Sequence, residues 1–221
     1  MNKKSVLTKE LFNCEVSYLK NFFNSSTYPW DMIPNIKSMI KGLLDKGIPG
    51  YKLLKENVLI GEDVKIYEGV TIIGPAIIGA HSELRPGAFI RENVITGENC
   101  VLGNSCEFKN CILLDFVQVP HFSYVGDSIL GNHAHMGAGS ICSNLKADGK
   151  NVVVHSDKDY ETGLRKLGAI LGDYADVGCQ SVLNPGTIVG QRSQIYPLCS
   201  IRGVVPDNAI YKGKDEIVNK K

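Results

Sequence analysis

Val58-Leu-Ile-Gly-Glu-Asp-Val64-Lys-Ile-Tyr-Glu-Gly-Val70-Thr-Ile72 opens a repeat of six residues that decides the fold. Every sixth position from 58 is small or β-branched: Val58, Val64, Val70, Ala76, Ser82, Ala88, Val94, Cys100 and Cys106. Two residues after each stands Ile60, Ile66, Ile72, Ile78, Leu84, Ile90, Thr96, Leu102 or Phe108, with Leu114 next. The frame returns at Ser128, Ala134 and Ser140 with Leu130 and Met136. It returns again at Ala169, Ala175, Ser181, Thr187, Ser193 and Cys199 with Leu171, Val177, Leu183, Val189, Ile195 and Ile201. A phase held three times marks a repeat architecture.

A period of six fits neither an amphipathic helix nor an alternating hairpin meander. It fits a coil of very short parallel strands, each hexapeptide making one flat side and its turn. The branched aliphatics then stack into inward columns that only neighbouring coils can bury. Glycines at Gly61, Gly79, Gly97 and Gly103 are expected to supply backbone turns that a Cβ strains. The expectation is a mainly β, single-stranded parallel β-helix of about seven coils, three hexapeptides per turn.

Composition narrows the function. The 221 residues suit one principal domain. A net charge of +1 argues against a nucleic-acid partner. No apolar run is long enough to span a membrane, and the first twenty residues lack the apolar core of a signal peptide. Seven cysteines without a CxxC suit free thiols in a reducing cytoplasm.

Residues 1–57 lack the period. Thr8 and Asp31 are placed to start two helices, the first carrying Leu11, Phe12, Val16, Leu19, Phe22 and Phe23, the second Ile33, Ile36, Ile40, Leu43 and Leu44. They read as a helical cap over the open first coil, with a separate binding module as the alternative. The β-helix is assigned to 58–211 and a loose charged tail to 212–221. Two interruptions stand out: Asp115 to Tyr124, which brings in Pro120 and His121, and the polar insertion 145–168. Such insertions loop out on one face, often the binding face.

The motifs Leu84-Arg85-Pro86-Gly87-Ala88, Gly103-Asn104 with Lys109, His121-Phe-Ser-Tyr124-Val-Gly-Asp127, and Gly137-Ala138-Gly139-Ser140 followed by Asn144 carry a resemblance. Together they resemble the acetyltransferase domain of the bifunctional enzymes that make UDP-N-acetylglucosamine. Gly163-Leu-Arg165-Lys166, Leu183-Asn-Pro185-Gly186 and Ile195-Tyr-Pro197 look closer to archaeal sugar-1-phosphate nucleotidylyltransferase/acetyltransferases. The resemblance spans about residues 55–210. It implies a left-handed β-helix, acetyl-CoA as acyl donor, an amino-sugar 1-phosphate as acceptor, and a homotrimer with sites between adjacent prisms.

By the same resemblance His121 is the general base and the Ala138 N–H faces the developing oxyanion. Arg85 and Lys109 hold the sugar phosphate, while Tyr124, His135 and Asn144 stand beside the substrates. Ala138, Asn144, Lys150, Cys179 and Pro197 line the acetyl-CoA groove. The chemistry is coherent on its own terms. N-acylation needs a base tuned near neutrality, worth typically ~10²–10⁴ in rate, and a well-placed oxyanion donor adds a comparable factor. Arginine grips phosphate bidentately. Arg165-Lys166 reads as a loop-ordering pair, with a substrate clamp as the alternative.

The chain departs from the bacterial pattern at His135, where that enzyme has asparagine, and at Leu145, where it has tyrosine. His135 is therefore expected to alter which sugar is accepted. No Gly-rich nucleotide-binding loop precedes the repeat, so no uridylyltransferase activity is expected. Two rival readings stand. One is a non-catalytic or regulatory partner of a separate sugar nucleotidyltransferase. The other is metal-dependent hydration of the γ-carbonic-anhydrase kind, for which His133-x-His135 is the one candidate pair.

Overall fold

The structure, a computed structural model, describes residues 3–213 and 216–220. Twenty-three of its strands stack in parallel as the three sides of a left-handed β-helix. The first face carries eight, from Val58–Ile60 to Val204–Val205, and the second carries eight, from Lys65–Ile66 to Ala209–Gly213. The third carries seven, from Thr71–Ile72 to Ser200–Ile201. Successive coils pair in strict register, for example Val58 with Ala76 and Ile60 with Ile78. Inside, the expected columns close on one another: Ile78, Leu84, Ile90, Leu102, Phe108, Leu130 and Met136 are fully buried in one continuous core.

Corners depend on left-handed backbone. Among the described residues, sixteen other than glycine have φ between 47° and 62°, most of them directly before the small interior position, as at Asp63, Asn93, Asn99 and His133. Asn and Asp tolerate this conformation; Phe116, Phe122, Tyr174 and Leu198 adopt it because the stacked coils impose it. Gly79 and Gly103 have another role from the one the sequence implied. Neither is in the left-handed region. A Cβ on Gly79 would collide with the carbonyl of Gly97 in the next coil, and one on Gly103 with Pro120. Close approach between coils, not turn conformation, requires glycine there.

The phase also changes differently from expectation. It shortens by one residue twice, with left-handed Asn110 and Asp127 at the two shortened corners. Between them the interior series reads Cys111, Leu113, Val117, Val119 and Val125. Leu114, expected inward, instead lies in a second apolar cluster outside the prism. Asp115 to Tyr124 is thus an ordinary stretch of coil in a shifted frame.

That second cluster decides where the N-terminal segment goes. Leu59, Ile77, Ile95, Ile112, Ile129, Ile170 and Ile188 form an aliphatic column on the outside of the first face, buried against Leu11, Phe12, Leu19, Trp30, Ile36 and Ile40. Each such side chain contributes about 1.5–3 kcal/mol of gross burial. The segment does not cover the open first coil, where Ile66 stays 39% exposed. It runs along the first face: the Lys3 carbonyl accepts from Asp207, that of Leu11 from Asp173, and the Tyr18 hydroxyl donates to the Thr96 carbonyl. Its helices are Thr8–Leu11, Lys20–Ser25, a 3₁₀ stretch Pro29–Asn35, and Ile36–Lys46 ended by left-handed Gly47.

The insertion folds as an antiparallel hairpin, Val153–His155 against Asp159–Glu161. Although the insertion read as a polar loop outside the core, Val152, Val154 and Leu167 are fully buried. The Tyr160 ring meets Tyr28 and Trp30 edge-on, tying the hairpin to the N-terminal segment. The tail is not loose as expected: Glu216–Asn219 pairs antiparallel with Ala209–Gly213. At the other end Lys52–Lys55 pairs antiparallel with Val58–Ile60. No helix among the described residues is long and apolar enough to cross a membrane.

Candidate active site

The edge between the second and third faces gathers several of the candidate residues. Pro86, Asn104, His121, Ala138, Cys179 and Pro197 occupy equivalent positions in six successive coils. Each stands just before a left-handed corner residue: Gly87, Ser105, Phe122, Gly139, Gln180 and Leu198. Register places His121 opposite Asn104. The Gly139 N–H donates to the His121 carbonyl at 3.1 Å, Gln180 to Ala138 at 2.8 Å, and Leu198 to Cys179 at 2.9 Å. Four of the sequence-derived residues therefore share one edge, although Ala138 and Cys179 are separated in sequence by the hairpin.

His121 ends the strand Gln118–His121 and is exposed, its ring 6.2 Å from that of Phe122. The Ala138 N–H has no acceptor among the described residues. Cys179 is the exposed thiol, whereas Cys14, Cys100, Cys106, Cys111, Cys142 and Cys199 are buried. Burial pushes the Cys100 and Cys142 thiols up to about 12, which keeps them protonated and inert.

Polar groups flank this edge on both sides. On the second face Arg85 reaches Glu83 at 3.3 Å and holds that carboxyl below its usual range. Further along, His135 Nδ1 lies 2.8 Å from Asp176 Oδ1. On the third face the Asn144 amide donates to the Tyr124 hydroxyl at 3.1 Å and to Asp127 Oδ2 at 2.5 Å. The Asn110 amide fills Asp127 Oδ1 at 2.8 Å. Burial, reinforced by Asp127, raises the Tyr124 phenol, so it stays a neutral donor. Lys109 Nζ stands 3.8 Å from Glu92, and Arg91 pairs with Glu107 at 2.8 Å.

Within one chain the structure thus separates the two phosphate-gripping candidates, Arg85 on the second face and Lys109 on the third, with His121 on the edge between them. Lys150 lies exposed in the insertion, its backbone N–H bonded to Asp148. A hollow of about 510 Å³ beside that loop is lined instead by Lys146, His155, Asn184 and Arg202. The sequence reading quoted Asp127 within a motif but gave it no role, whereas it fixes Asn144, and it missed Asp176, which holds His135. It also paired two histidines that the fold separates. His133 is stacked between Phe116 and Tyr174 at 4.6 and 4.7 Å, while His135 is bound to Asp176. Among the described residues no three His, Cys, Asp or Glu side chains gather as a metal site requires.

A three-sided parallel coil with a histidine on an exposed edge defines a hexapeptide-repeat β-helix protein. The family profile described as the GMPPB C-terminal domain matches residues 72–161. The chain is 33% identical over 232 residues to the bifunctional protein GlmU of Methanococcus vannielii, covering 99% of this chain and 53% of that protein. It is 34% identical over 174 residues to the bifunctional sugar-1-phosphate nucleotidylyltransferase/acetyltransferase of Sulfurisphaera tokodaii, covering 76% and 43%. Among solved structures, the Arabidopsis UDP-N-acetylglucosamine acyltransferase aligns with a TM-score of 0.44 at 13% identity, covering 75% of this chain and 71% of that one. The chain is thus similar in sequence to the GlmU and sugar-1-phosphate nucleotidylyltransferase/acetyltransferase proteins. It spans about half the length of the curated relatives it matches.

Proposed function

We propose that this chain transfers an acetyl group from acetyl-CoA to the amine of an amino-sugar 1-phosphate. The observation that carries the reading is the edge column: an exposed histidine, His121, one coil before an unpaired backbone N–H, that of Ala138. His121 takes a proton as the amine attacks the thioester carbonyl. The new C–N bond leaves an oxyanion, which the Ala138 N–H stabilises. Collapse breaks the C–S bond, and the protonated His121 returns its proton to the departing thiolate. Arg85 and Lys109 hold the sugar phosphate, Tyr124, His135 and Asn144 the sugar and acetyl group, and Asn144, Lys150, Cys179 and Pro197 the donor. The names of both archaeal relatives fit this reading, one of them pairing nucleotidylyl transfer with acetyl transfer.

A single edge is convex and encloses nothing. The functional unit is accordingly a homotrimer in which the second face of one prism meets the third face of the next, bringing Arg85 and Lys109 around one ligand. Acetyl-CoA as donor fits a cytoplasmic reaction.

The test is to incubate the purified chain with acetyl-CoA and glucosamine 1-phosphate, following CoA release and the mass of the sugar. Acetylated product forming at a rate proportional to protein supports the reading. Absence of product with every amino-sugar phosphate tried ends it.

A further inference from the structure

Outside the edge column, His135, assigned above to the sugar, is bound at its Nδ1 by Asp176, a carboxylate to which the mechanism gives no role. Gln118, His135, Asp176 and Gln194 follow one another across four successive coils of the second face, each in register with the next. The His135 and Asp176 side chains are 42% and 47% exposed, so they face the surface where ligand would lie. Asp176 sits below its ordinary value mainly because of the hydrogen bond from His135, with Gln194 adding to the effect against partial burial.

We propose that Asp176 is a positioning residue that presents His135 as a hydrogen-bond acceptor to the acyl-acceptor sugar; this rests on the acetyl-transfer reading. A carboxylate can only accept, so the 2.8 Å contact puts the proton on His135 Nδ1. Neutral imidazole then offers its lone pair at Nε2, which has no partner among the described residues. His135 lies opposite Gln118, in the strand that ends three residues later at His121. At ~3.3 Å per residue the two imidazoles are anchored about 10 Å apart along the strand, the span of one sugar ring with its substituents. Between them stand Pro120 and Gly137, so no long side chain intervenes.

The consequence is selectivity of a definite kind. An acceptor nitrogen at this point favours a substrate hydroxyl or amine and disfavours a carbonyl or phosphate oxygen. Free rotation of His135 would blur that preference, because either nitrogen could then face the ligand.

The test uses the full chain as wild type, Asp176→Asn and His135→Asn, with acetyl-CoA, glucosamine 1-phosphate and its singly deoxygenated analogues. In wild type, ¹⁵N spectra of histidine-labelled protein are expected to show His135 protonated at Nδ1, and in Asp176→Asn a mixture of tautomers. The KM for the sugar is expected to rise about 3–10-fold in Asp176→Asn, the equivalent of one neutral hydrogen bond, with kcat changing less. One deoxy analogue should suffer that penalty with wild type and escape it with Asp176→Asn. An Nε2–H tautomer in wild type, or an unchanged sugar KM in both variants, overturns the inference alone. Absence of turnover by the wild type overturns the acetyl-transfer reading, and the inference falls with it.

Discussion

The carboxylate of Asp173 accepts the backbone N–H of Asn13 at 2.8 Å, joining two residues 160 positions apart. Its other oxygen caps Asn132 N–H, also at 2.8 Å. One corner aspartate thus serves a coil of the prism and the N-terminal segment laid along it. Asp207 repeats the arrangement with Gln191 N–H and the Ser5 hydroxyl. Burial raises both carboxyls, which shows how far these contacts are removed from water.

Asp173→Asn is expected to destabilise the protein by about 1–3 kcal/mol, because the amide leaves either Asn13 or Asn132 facing a donor. Urea unfolding measures the loss. Hydrogen exchange at Asn13 should accelerate more than exchange inside the prism, and uniform acceleration would show that the segment is not separately anchored there.

Two glycines should answer substitution with opposite signs. Gly79→Ala forces a Cβ into the backbone of the next coil and is expected to cost at least about 1–3 kcal/mol. Gly42 lies within the helix Ile36–Lys46 with open space around it, so Gly42→Ala should stabilise by about 0.5–1 kcal/mol. Thermal melts of the two variants side by side settle the matter.

Asp176 gives a signed pH dependence. Its folded value lies below the ordinary 3.8, so the stability it contributes is present above that pH and lost as pH falls through the lower folded value. Its neighbours in this respect are His135, Gln194 and Lys220. The melting temperature of wild type minus that of Asp176→Asn should be steady just above pH 4 and shrink on further acidification. A gap that widens in acid contradicts the assignment.

His121→Ala is expected to lower kcat by about 10²-fold or more while leaving the melting temperature nearly unchanged, since the side chain is exposed. Arg85→Ala should act on the KM for the phosphorylated sugar. Wild-type turnover in the histidine variant removes His121 from the mechanism.

Thiol labelling probes the edge column directly. Of the seven cysteines, Cys179 alone is exposed, so native protein should label fast at one site and denatured protein at seven. Saturating acetyl-CoA is expected to protect Cys179. Unchanged labelling with the donor bound would place the donor elsewhere.

The interior of the prism was legible because its small and branched positions recur at a spacing that fits neither an amphipathic helix nor an alternating strand. Leu113 and Leu114 show where the pattern ran out: both are apolar, and only the left-handed corner at Asn110 decides which turns inward. The docking of the N-terminal segment was readable and overlooked. Leu59, Ile77 and Ile95 recur every eighteen residues, one per coil, marking an outer face too aliphatic for water. For the site, register alone brings His121, Ala138, Cys179 and Pro197 to one edge. The His135–Asp176 pair follows from the same register that aligns Ala138 with Cys179, and it was overlooked because Asp176 stands in none of the motifs that carried the resemblance.

At each end of the coil stack one face finishes in a strand that runs the wrong way. Lys52–Lys55 lies antiparallel on the first coil, and Glu216–Asn219 antiparallel on the last. Every residue of both is exposed. A parallel stack is otherwise an open template, since its last rung offers the same row of donors and acceptors that recruited each earlier one. Reversal of direction breaks that match, and the lysines at positions 52 and 55 add charge to one terminus. One of the three faces is closed in this way at each end, which removes one row of the template on which a second copy could add head to tail.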